Sequence, residues 1–386
     1  MHIPALPSDG ARYDESVALL RALSGPDGIH ASAAASANYR AVFARDAVMA
    51  GVAGLLVGDA VITRGLVRTL EALRTLQGAE GQIASNYEIR PGEPPRVSFG
   101  SLAPRIDATT WYLIGVALAA RAGVIDAAAF GDSARRVVRL LDALEYNGRH
   151  LVYVPTGGNW ADEYVYEGYV LYDQVLRAWA LRLLSGTYDE PAWRAKAARI
   201  GETIAAAYAP SADHRARHPI AAFTPARTFE QFDLAACSLL ALSDSAPALA
   251  SPALGWIAER FLHRDALPPA FHPVIDETHP DWPALCRYHL HGFRNRPHEY
   301  HNGGVWPIWL GWLALALARA GRPADLDALR ATVRARFGAL PSYGFEEFLH
   351  GTTGASGGTP QMAYSATGFV FLRLAGTAEQ FQLLGP

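Results

Sequence analysis

The pattern of hydrophobic and polar positions is helical along nearly all of the 386-residue chain. Apolar residues recur every three to four positions in segments of about ten to twenty residues, the spacing of helices with one buried face. The alternating pattern of strands is scarce. We predict twelve helices, near Tyr13–Ala22, Arg45–Val57, Ala60–Leu76, Asp107–Ala120, Ala127–Leu144, Gly168–Leu184, Pro191–Tyr208, Phe232–Leu242, Pro252–Leu262, Gly303–Ala320, Ala324–Phe337 and Met362–Leu374.

The linkers between these helices alternate in length. Val57–Ala60 and Gly321–Asp325 are short and polar. The long linkers are rich in aromatic and charged residues and span residues 77–106, 147–167, 263–302 and 338–361. In a ring of helical hairpins, short turns gather at one end and long, functional loops at the other. We therefore expect an all-α fold, an (α/α)6 barrel or six-hairpin toroid, with an irregular helical bundle as the alternative.

Composition narrows the possible functions. The net charge is −3, and the Lys and Arg residues are scattered rather than clustered, so we expect no nucleic-acid partner. The two cysteines, Cys237 and Cys286, allow at most one disulfide and no zinc motif, and we expect no cofactor or metal. No apolar run is long enough to span a membrane, and the first residues lack a signal peptide, so we expect a cytoplasmic protein. No linker rich in Gly, Ser or Pro divides the chain, which predicts a single domain over residues 1–386.

Candidate chemistry first appears at two helix starts. Arg45 and Asp46 open one apolar helix, and Asp107 opens another. An aspartate at a helix N-terminus can simply cap the helix or interact with its dipole. If both helices point into one cavity, the same side chains can grip sugar hydroxyls, with the carboxylates accepting and the guanidinium donating hydrogen bonds.

Three further clusters lie in or beside the long linkers. Residues 159–174 combine Trp160 and Asp162 with further acids and four tyrosines. A Gly pair follows the stretch at 300–302 and allows close backbone approach to a ligand. Glu346 and Glu347 lie between aromatic residues. Aromatic rings stack on sugars but more often fill cores. No nucleophile elbow, zinc-protease helix or dinucleotide fingerprint is present, and paired carboxylates among rings and amides suit glycoside hydrolysis.

Five pieces occur in an order that resembles one family of enzymes. They are RDA at 45–47, IDATTWYL at 106–113, WAD at 160–162, YHNGGVWP at 300–307 and EEF…TPQ at 346–361. The chain resembles, over about residues 40–375, the α/α-toroid inverting glycosidases. These include neutral/alkaline invertases, amylo-α-1,6-glucosidases, and mannosylglycerate and glucosylglycerate hydrolases. The resemblance implies an (α/α)6 barrel and an inverting, exo-acting glycoside hydrolase.

The resemblance also implies roles for individual residues. Asp162 matches the general acid and Glu347 the general base, with Glu346 as the alternative base. Together with the rings and amides noted in the loops, the predicted substrate contacts are Arg45, Asp46, Gln82, Asp107, Trp111, Trp160, Gln174, His301, Asn302, Trp306 and Gln361. Glu163 and Tyr164 stand where invertases have two arginines, which puts sucrose in doubt. We expect a small soluble glycoside of the α-glucoside, α-mannoside or sucrose type; the oligomeric state is open.

Two alternatives belong to other classes of function. N-acylglucosamine 2-epimerases share the toroid and move protons with histidines, and His291, His298, His301 and His350 are available for this. A non-catalytic carbohydrate-binding protein would keep the rings and hydroxyl-binding groups but need neither Asp162 nor Glu347. Interconversion of free sugars would indicate the first alternative, and binding without turnover the second.

Overall fold

The computed structural model describes residues 9–34, 40–101, 103–145, 147–210, 217–287, 292–340 and 342–385. These ranges contain fourteen α-helices: α1 (Asp9–Leu23), α2 (Ala44–Val57), α3 (Ala60–Thr75), α4 (Ile106–Arg121), α5 (Gly131–Ala143), α6 (Leu171–Tyr188), α7 (Pro191–Ala207), α8 (Leu234–Ser243), α9 (Pro247–Arg260), α10 (Trp282–Leu285), α11 (Pro307–Arg319), α12 (Pro323–Gly338), α13 (Ala363–Leu374) and α14 (Ala378–Leu384). The prediction of a mainly helical chain is confirmed.

The strands are two or three residues long and pair into five small antiparallel sheets. They are β1 (Ser24–Gly25), β2 (Gly28–Ile29), β3 (Val42–Phe43), β4 (Asn86–Glu88), β5 (Arg96–Ser98), β6 (Tyr169–Val170), β7 (Ala222–Phe223), β8 (Thr228–Phe229), β9 (Phe232–Asp233), β10 (Phe271–His272), β11 (Phe348–Leu349) and β12 (Ser356–Gly357). The strands β3, β6 and β9 immediately precede α2, α6 and α8. Each of them pairs with a strand of a later linker, β3 with β4, β6 with β7 and β9 with β10, so strand pairing holds each helix start to another loop.

Six helices pack against one another in a cyclic order: α2 contacts α4, then follow α6, α8, α11 and α13, and α13 contacts α2 again. These inner helices are buried almost all round, as in α4, where every residue from Ile106 to Ala119 is buried. A second set packs outside them, with α1, α3, α5, α7, α9 and α12 against α13, α2, α4, α6, α8 and α11. In α3 the buried residues Ile62, Leu66, Leu70 and Leu73 recur at helical spacing and form one face.

Glycines set the close approach of α11 and α13. A Cβ atom added at Gly311 would lie 2.6 Å from the carbonyl oxygen of Gly368. Because real Cβ atoms do not approach backbone so closely, any larger residue at Gly311 would push the two helices apart. Gly311 and Gly368 therefore set the spacing of α11 and α13.

Several predicted boundaries were wrong, mostly at helix starts. Gly168 and Gly303 have positive φ angles of 89° and 95° and lie in the loops before α6 and α11, so these helices begin later than predicted. The helix predicted from Pro252 begins earlier, at Pro247, and contains Pro252 inside it. The segment predicted from Ala127 starts as a 3-10 turn, Ala127–Phe130, before α5. The prediction missed α10 and α14.

The described residues include no helix that is long and apolar enough to cross a membrane. Cys237 is buried and Cys286 is half-buried, and both are free thiols.

Candidate active site

The first turns of α2 and α4 meet through an ion pair. The Arg45 guanidinium donates from Nη1 to Oδ2 of Asp107 at 2.7 Å, and its Nη2 lies 3.9 Å from Oδ2 of Asp46. The N-cap positions are occupied by Phe43 and Arg105, so neither aspartate caps its helix. The interpretation of these aspartates as N-caps is therefore wrong, although both lie in the first turn of their helices, and both carboxylates are buried beside the Arg45 guanidinium.

Asp107 is fully buried and the Arg45 side chain is 20% exposed, and not every polar atom of the pair has a partner. Oδ2 of Asp107 also accepts a hydrogen bond from the Tyr172 hydroxyl at 3.4 Å, but Oδ1 has no partner in the described part of the chain. Nε of Arg45 likewise has none there. Buried polar atoms normally have partners, so free donors and acceptors at one place indicate a polar ligand.

The pKa of Asp46 depends on its burial and on three neighbouring charged groups. Burial raises the pKa of Asp46, the Arg45 guanidinium opposes that shift, and the charges of Asp107 and Asp162 add to it. The structure therefore brings Asp162, from the loop before α6, into the electrostatic reach of the α2 and α4 carboxylates. For Arg45, burial lowers the pKa, but Asp107 and Asp46 together raise it well above its ordinary value.

Asp162 is held by a cation that the sequence reasoning missed. Nη2 of Arg105 donates to Oδ2 of Asp162 at 2.6 Å. The Asp162 side chain is 31% exposed, whereas that of Arg105 is 12% exposed. Asp162 is therefore accessible from solvent on one side and paired on the other. A cationic side chain two positions before the helix-starting Asp107 was the available signal for Arg105.

Asn159 holds the loop that carries Asp162 against α6. The Asn159 amide donates to Oδ2 of Asp173 at 2.8 Å and accepts from the N–H of Ala161 at 3.1 Å. Burial raises the pKa of Asp173 well above its ordinary value, with a further contribution from the charge of Asp107. Asp173 belongs to the first turn of α6, so its carboxyl group ties the loop to an inner helix.

Two predicted sugar-binding amides have other partners. The Gln174 side chain accepts from the N–H of Val152 at 2.9 Å and donates to the carbonyls of Val152 and Val170. The Asn302 side chain accepts from the N–H of Ile275 at 2.7 Å and donates to the carbonyls of Ile275 and Asn295. Both residues are fully buried. Their amides cross-link loops, with both N–H donors of each amide group used by backbone carbonyls.

A cluster of aromatic rings connects the loop of Asp162 to the loop of Glu347 through ring contacts. We define it by ring contacts among Trp160, Tyr300, His301, Trp306, Trp309 and Phe348. The Trp160 ring lies 5.1 Å from that of His301 and 5.8 Å from that of Trp306, and the Trp306 ring stacks 6.0 Å from that of Phe348. Trp160 is two residues from Asp162, and Phe348 follows Glu347. The cluster therefore links the two carboxylate-bearing loops.

His301 lies within this cluster as a neutral ring. Burial and the nearby cations Arg294, Arg45 and Arg105 lower the pKa of His301 well below its ordinary value. Nδ1 of His301 and Nε1 of Trp160 are buried and have no hydrogen-bond partner within the described ranges. Each ring therefore carries a polar atom that no described residue binds.

The two candidate bases differ in burial. Glu347 is 3% exposed, and its Oε2 accepts from the N–H of Thr359 at 3.0 Å. Glu346 is half-buried, and its Oε2 accepts from the N–H of Gly344 at 2.9 Å, which closes a local turn. Each carboxylate thus accepts a backbone N–H, and the assignment of Glu347 as the base stays a prediction.

Three other residues predicted to contact the substrate have different surroundings from the Arg45–Asp107 pair. Trp111 is fully buried and donates to the Tyr172 hydroxyl at 2.8 Å, which places it in a layer below Asp107. Gln82 accepts from the N–H of Glu80 at 3.1 Å in an exposed turn after α3. Gln361 is exposed, and its backbone rather than its side chain bonds to neighbouring loops.

Of the histidines of the alternative hypothesis, His301 lies in the aromatic cluster beside Trp160. His298 and His350 instead contact each other, with ring centroids 5.8 Å apart, and Nδ1 of His350 accepts from the N–H of Thr352. His291 lies outside the described residues. Among the described residues, no group of three or more His, Cys, Asp or Glu side chains is arranged to hold a metal ion.

No protein-family model and no curated protein matches this sequence. Solved structures do match it in fold. A mannosylglycerate hydrolase of glycoside hydrolase family 63 from Thermus thermophilus, in complex with glucose, is 15% identical with a TM-score of 0.65, over 93% of this chain and 99% of that one. A substituted glycosidase in complex with glucose is 15% identical with a TM-score of 0.67, over 100% and 99%. A rhamnosidase from Klebsiella oxytoca with rhamnose bound is 12% identical with a TM-score of 0.66, over 96% and 64%. The resemblance to glycosidases is confirmed at the level of the fold.

Proposed function

We propose that this protein is an inverting, exo-acting glycoside hydrolase of a small soluble glycoside, with Asp162 as general acid and Glu347 as general base. The observation that carries the proposal is the partly buried Arg45–Asp107 pair beside the aromatic cluster, in which Nε of Arg45 and Oδ1 of Asp107 have no hydrogen-bond partner among the described residues. Buried hydroxyl-binding groups next to aromatic faces are what a sugar ring requires. The fold shared with glycosidases that bind glucose and rhamnose supports the same conclusion.

We further propose an (α/α)6 barrel of one domain. The cyclic packing of α2, α4, α6, α8, α11 and α13, each with an outer partner, supports the barrel. The buried apolar residues belong to one cluster that includes residues from α1 to α14, which supports a single domain.

The terminal sugar would bind against the inner helix starts. Arg45, Asp46 and Asp107 would bind its hydroxyls, and Trp160, His301 and Trp306 would line its apolar face. The remaining predicted contacts, among them Gln174 and Asn302, would act through loop geometry. Binding at these buried helix starts would admit the last sugar of a chain rather than a sugar in its middle. This is the basis on which we propose exo action.

The proposed reaction transfers one proton to the glycosidic oxygen and removes one proton from the attacking water. Protonated Asp162 donates its proton to the glycosidic oxygen as the C–O bond breaks and the electron pair goes to that oxygen. Glu347 takes a proton from a water whose oxygen attacks the anomeric carbon from the opposite face. In inverting enzymes the two carboxyl groups lie roughly 6.5–9.5 Å apart to admit that water. Solvent then protonates Asp162 and deprotonates Glu347.

A release assay tests this proposal. The purified protein would be incubated with α-glucosides, α-mannosides, their glycerate conjugates and sucrose, and the released monosaccharide identified. Proton NMR during the first minutes would report the product anomer, and we expect the configuration opposite to that of the substrate. Retention would instead make Glu347 a nucleophile. Interconversion of free sugars, or binding without release across the panel, would contradict hydrolysis.

A further inference from the structure

Tyr364, in the first turn of the inner helix α13, contacts both the aromatic cluster and the Arg45 guanidinium. Its ring lies 6.2 Å from that of Trp306 and 6.0 Å from that of Trp309. The Cζ atom of Arg45 lies 6.0 Å from the centroid of the same ring. Tyr364 is 4% exposed. This buried side chain therefore joins the rings of the candidate site to its ion pair.

The hydroxyl of Tyr364 has no hydrogen-bond partner among the described residues. The hydroxyl of Tyr172 provides a contrast, because it donates to Oδ2 of Asp107 at 3.4 Å and accepts from Nε1 of Trp111 at 2.8 Å. The fold thus uses one of these two tyrosine hydroxyls, and the described part of the fold does not use the other. Leaving a buried hydroxyl without a partner costs free energy, so such a group indicates a polar ligand.

The polar groups near Tyr364 complement a sugar hydroxyl. Burial raises the pKa of Tyr364 well above its ordinary value, against the opposing effect of the Arg45 charge, so the hydroxyl keeps its proton and can donate. Oδ1 of Asp107 can accept and Nε of Arg45 can donate, and neither atom has a partner in the described ranges. Because a sugar hydroxyl both donates and accepts, it can bind more than one of these three groups at once.

We propose that Tyr364 is a specificity-determining residue whose hydroxyl binds one hydroxyl group of the terminal sugar beside Arg45 and Asp107. The inference deepens the proposed function and rests on it, because it adds a contact to the same sugar-binding site. A sugar that lacks the contacted hydroxyl would leave the buried polar groups without a partner, and a site of this kind rejects such an analogue. The ligand is therefore a sugar that keeps this hydroxyl, and one of its monodeoxy analogues should bind more weakly.

The test is calorimetric titration of wild type and Tyr364→Phe with glucose, mannose and the monodeoxy analogues of each. The substitution removes only the hydroxyl and should weaken binding of the parent sugar by about three- to tenfold, the value of a neutral hydrogen bond. Wild type and variant should bind equally the one analogue that lacks the contacted hydroxyl. Tyr112→Phe is the matched control, since its buried hydroxyl bonds to Oγ of Ser133 at 2.8 Å, and it should leave sugar binding unchanged.

Melting temperatures separate a binding role from a structural one. Tyr364→Phe removes a hydroxyl that no described residue binds and should melt at or above the wild-type temperature. Tyr112→Phe leaves the buried Ser133 without its partner and should melt below wild type. A Tyr364→Phe variant that melts below Tyr112→Phe, or that does not fold, would refute the proposal because the hydroxyl would then be structural.

Binding without turnover separates this inference from the function on which it rests. If glycosides are hydrolysed and Tyr364→Phe binds every sugar within about twofold of wild type, the role of Tyr364 is refuted while hydrolysis stands. An equal loss for the parent sugar and all its analogues would also refute the contact. If the sugars bind in the expected pattern but no glycoside is cleaved, the contact stands and the catalytic function is wrong. No measurable binding of glucose or mannose by wild type would overturn the contact.

Discussion

Two aspartates occupy the same position, the N-cap of a helix, in two regions of the molecule. Asp59 caps the outer helix α3 and Asp233 caps the inner helix α8. Both carboxylate oxygens of Asp59 are engaged: Oδ1 accepts from the N–H groups of Val61 and Ile62, and Oδ2 from Arg21. These bonds outweigh the effect of burial and lower the pKa of Asp59.

Asp233 differs in having one oxygen left over. Its Oδ1 accepts from the N–H of Ala236 at 2.9 Å, but Oδ2 is buried without a hydrogen-bond partner in the described ranges. Burial raises the pKa of Asp233 to about 7, although the N–H groups of Ala236 and Ala235 oppose that shift. Asp107 and Asp173, in the first turns of α4 and α6, also keep one oxygen without a partner among the described residues.

The difference between Asp59 and Asp233 is whether the second carboxylate oxygen has a partner among the described residues. The outer start uses both carboxylate oxygens to stabilise the fold. The inner starts retain acceptors that the described part of the fold does not use, and such groups are exceptional in native proteins. Asp233 is therefore a site candidate that sequence reasoning missed, because its sequence context is that of any N-cap.

The largest expected effect concerns the stability of Asp233→Asn. Asparagine caps helices as well as aspartate, so the variant mainly removes a titrating group. The folded protein binds the Asp233 proton up to about pH 7, whereas the unfolded chain releases it near the ordinary value of 3.8. Wild-type stability therefore falls as pH rises through this window, and the variant should gain up to roughly 4 kcal/mol relative to wild type between about pH 4 and pH 8.

Urea unfolding at several pH values measures this gain, and Asp59→Asn is the matched control. Since the pKa of Asp59 is lowered, its contribution is present at neutral pH and lost as pH falls. Asp59→Asn should therefore be most destabilising near neutral pH and least at acidic pH, the opposite trend. Parallel trends in the two variants would remove the distinction between the inner and outer caps.

A smaller effect is expected for Asp107→Asn on catalysis. The amide keeps the shape but loses the charge that pairs with Arg45 and that, in the proposed function, accepts from a sugar hydroxyl. Loss of a hydrogen bond to a charged group costs about 1.5–3 kcal/mol, so kcat/KM should fall roughly 10- to 100-fold. Asp142→Asn breaks another Arg–Asp pair of 2.7 Å, with Arg177, and should leave kcat/KM near wild type. Equal losses in both variants would make the effect on Asp107 one of folding.

The smallest effect is expected for Gln361→Ala. The side chain is exposed, and the backbone of this residue holds the loop through bonds to Gly344 and Ala33. Surface substitutions away from buried networks change stability by about 0.5 kcal/mol or less. Steady-state kinetics should show kcat/KM within about threefold of wild type on that energy scale. A loss above about tenfold would restore Gln361 to the substrate contacts.

The sequence predicted the helices well, because periodicity specifies them, and it placed Asp46 and Asp107 at helix starts, where the structure has them. It did not predict the partners of Gln174 and Asn302. Their amides bond to backbone 22 and 27 residues away, and no local pattern reveals such pairings. Arg105 was missed for the same reason, since its acceptors lie 52 to 57 residues further along the chain. Site residues that act through distant loops require the folded structure.

The most direct test of the catalytic assignment compares Asp162→Asn and Glu347→Gln with wild type on the best glycoside of the panel. A positioned acid or base typically contributes about 100- to 10,000-fold, so each variant should lose at least a hundredfold in kcat while melting near the wild-type temperature. Hydrolysis within about tenfold of wild type in both folded variants would contradict the assignment of these two residues.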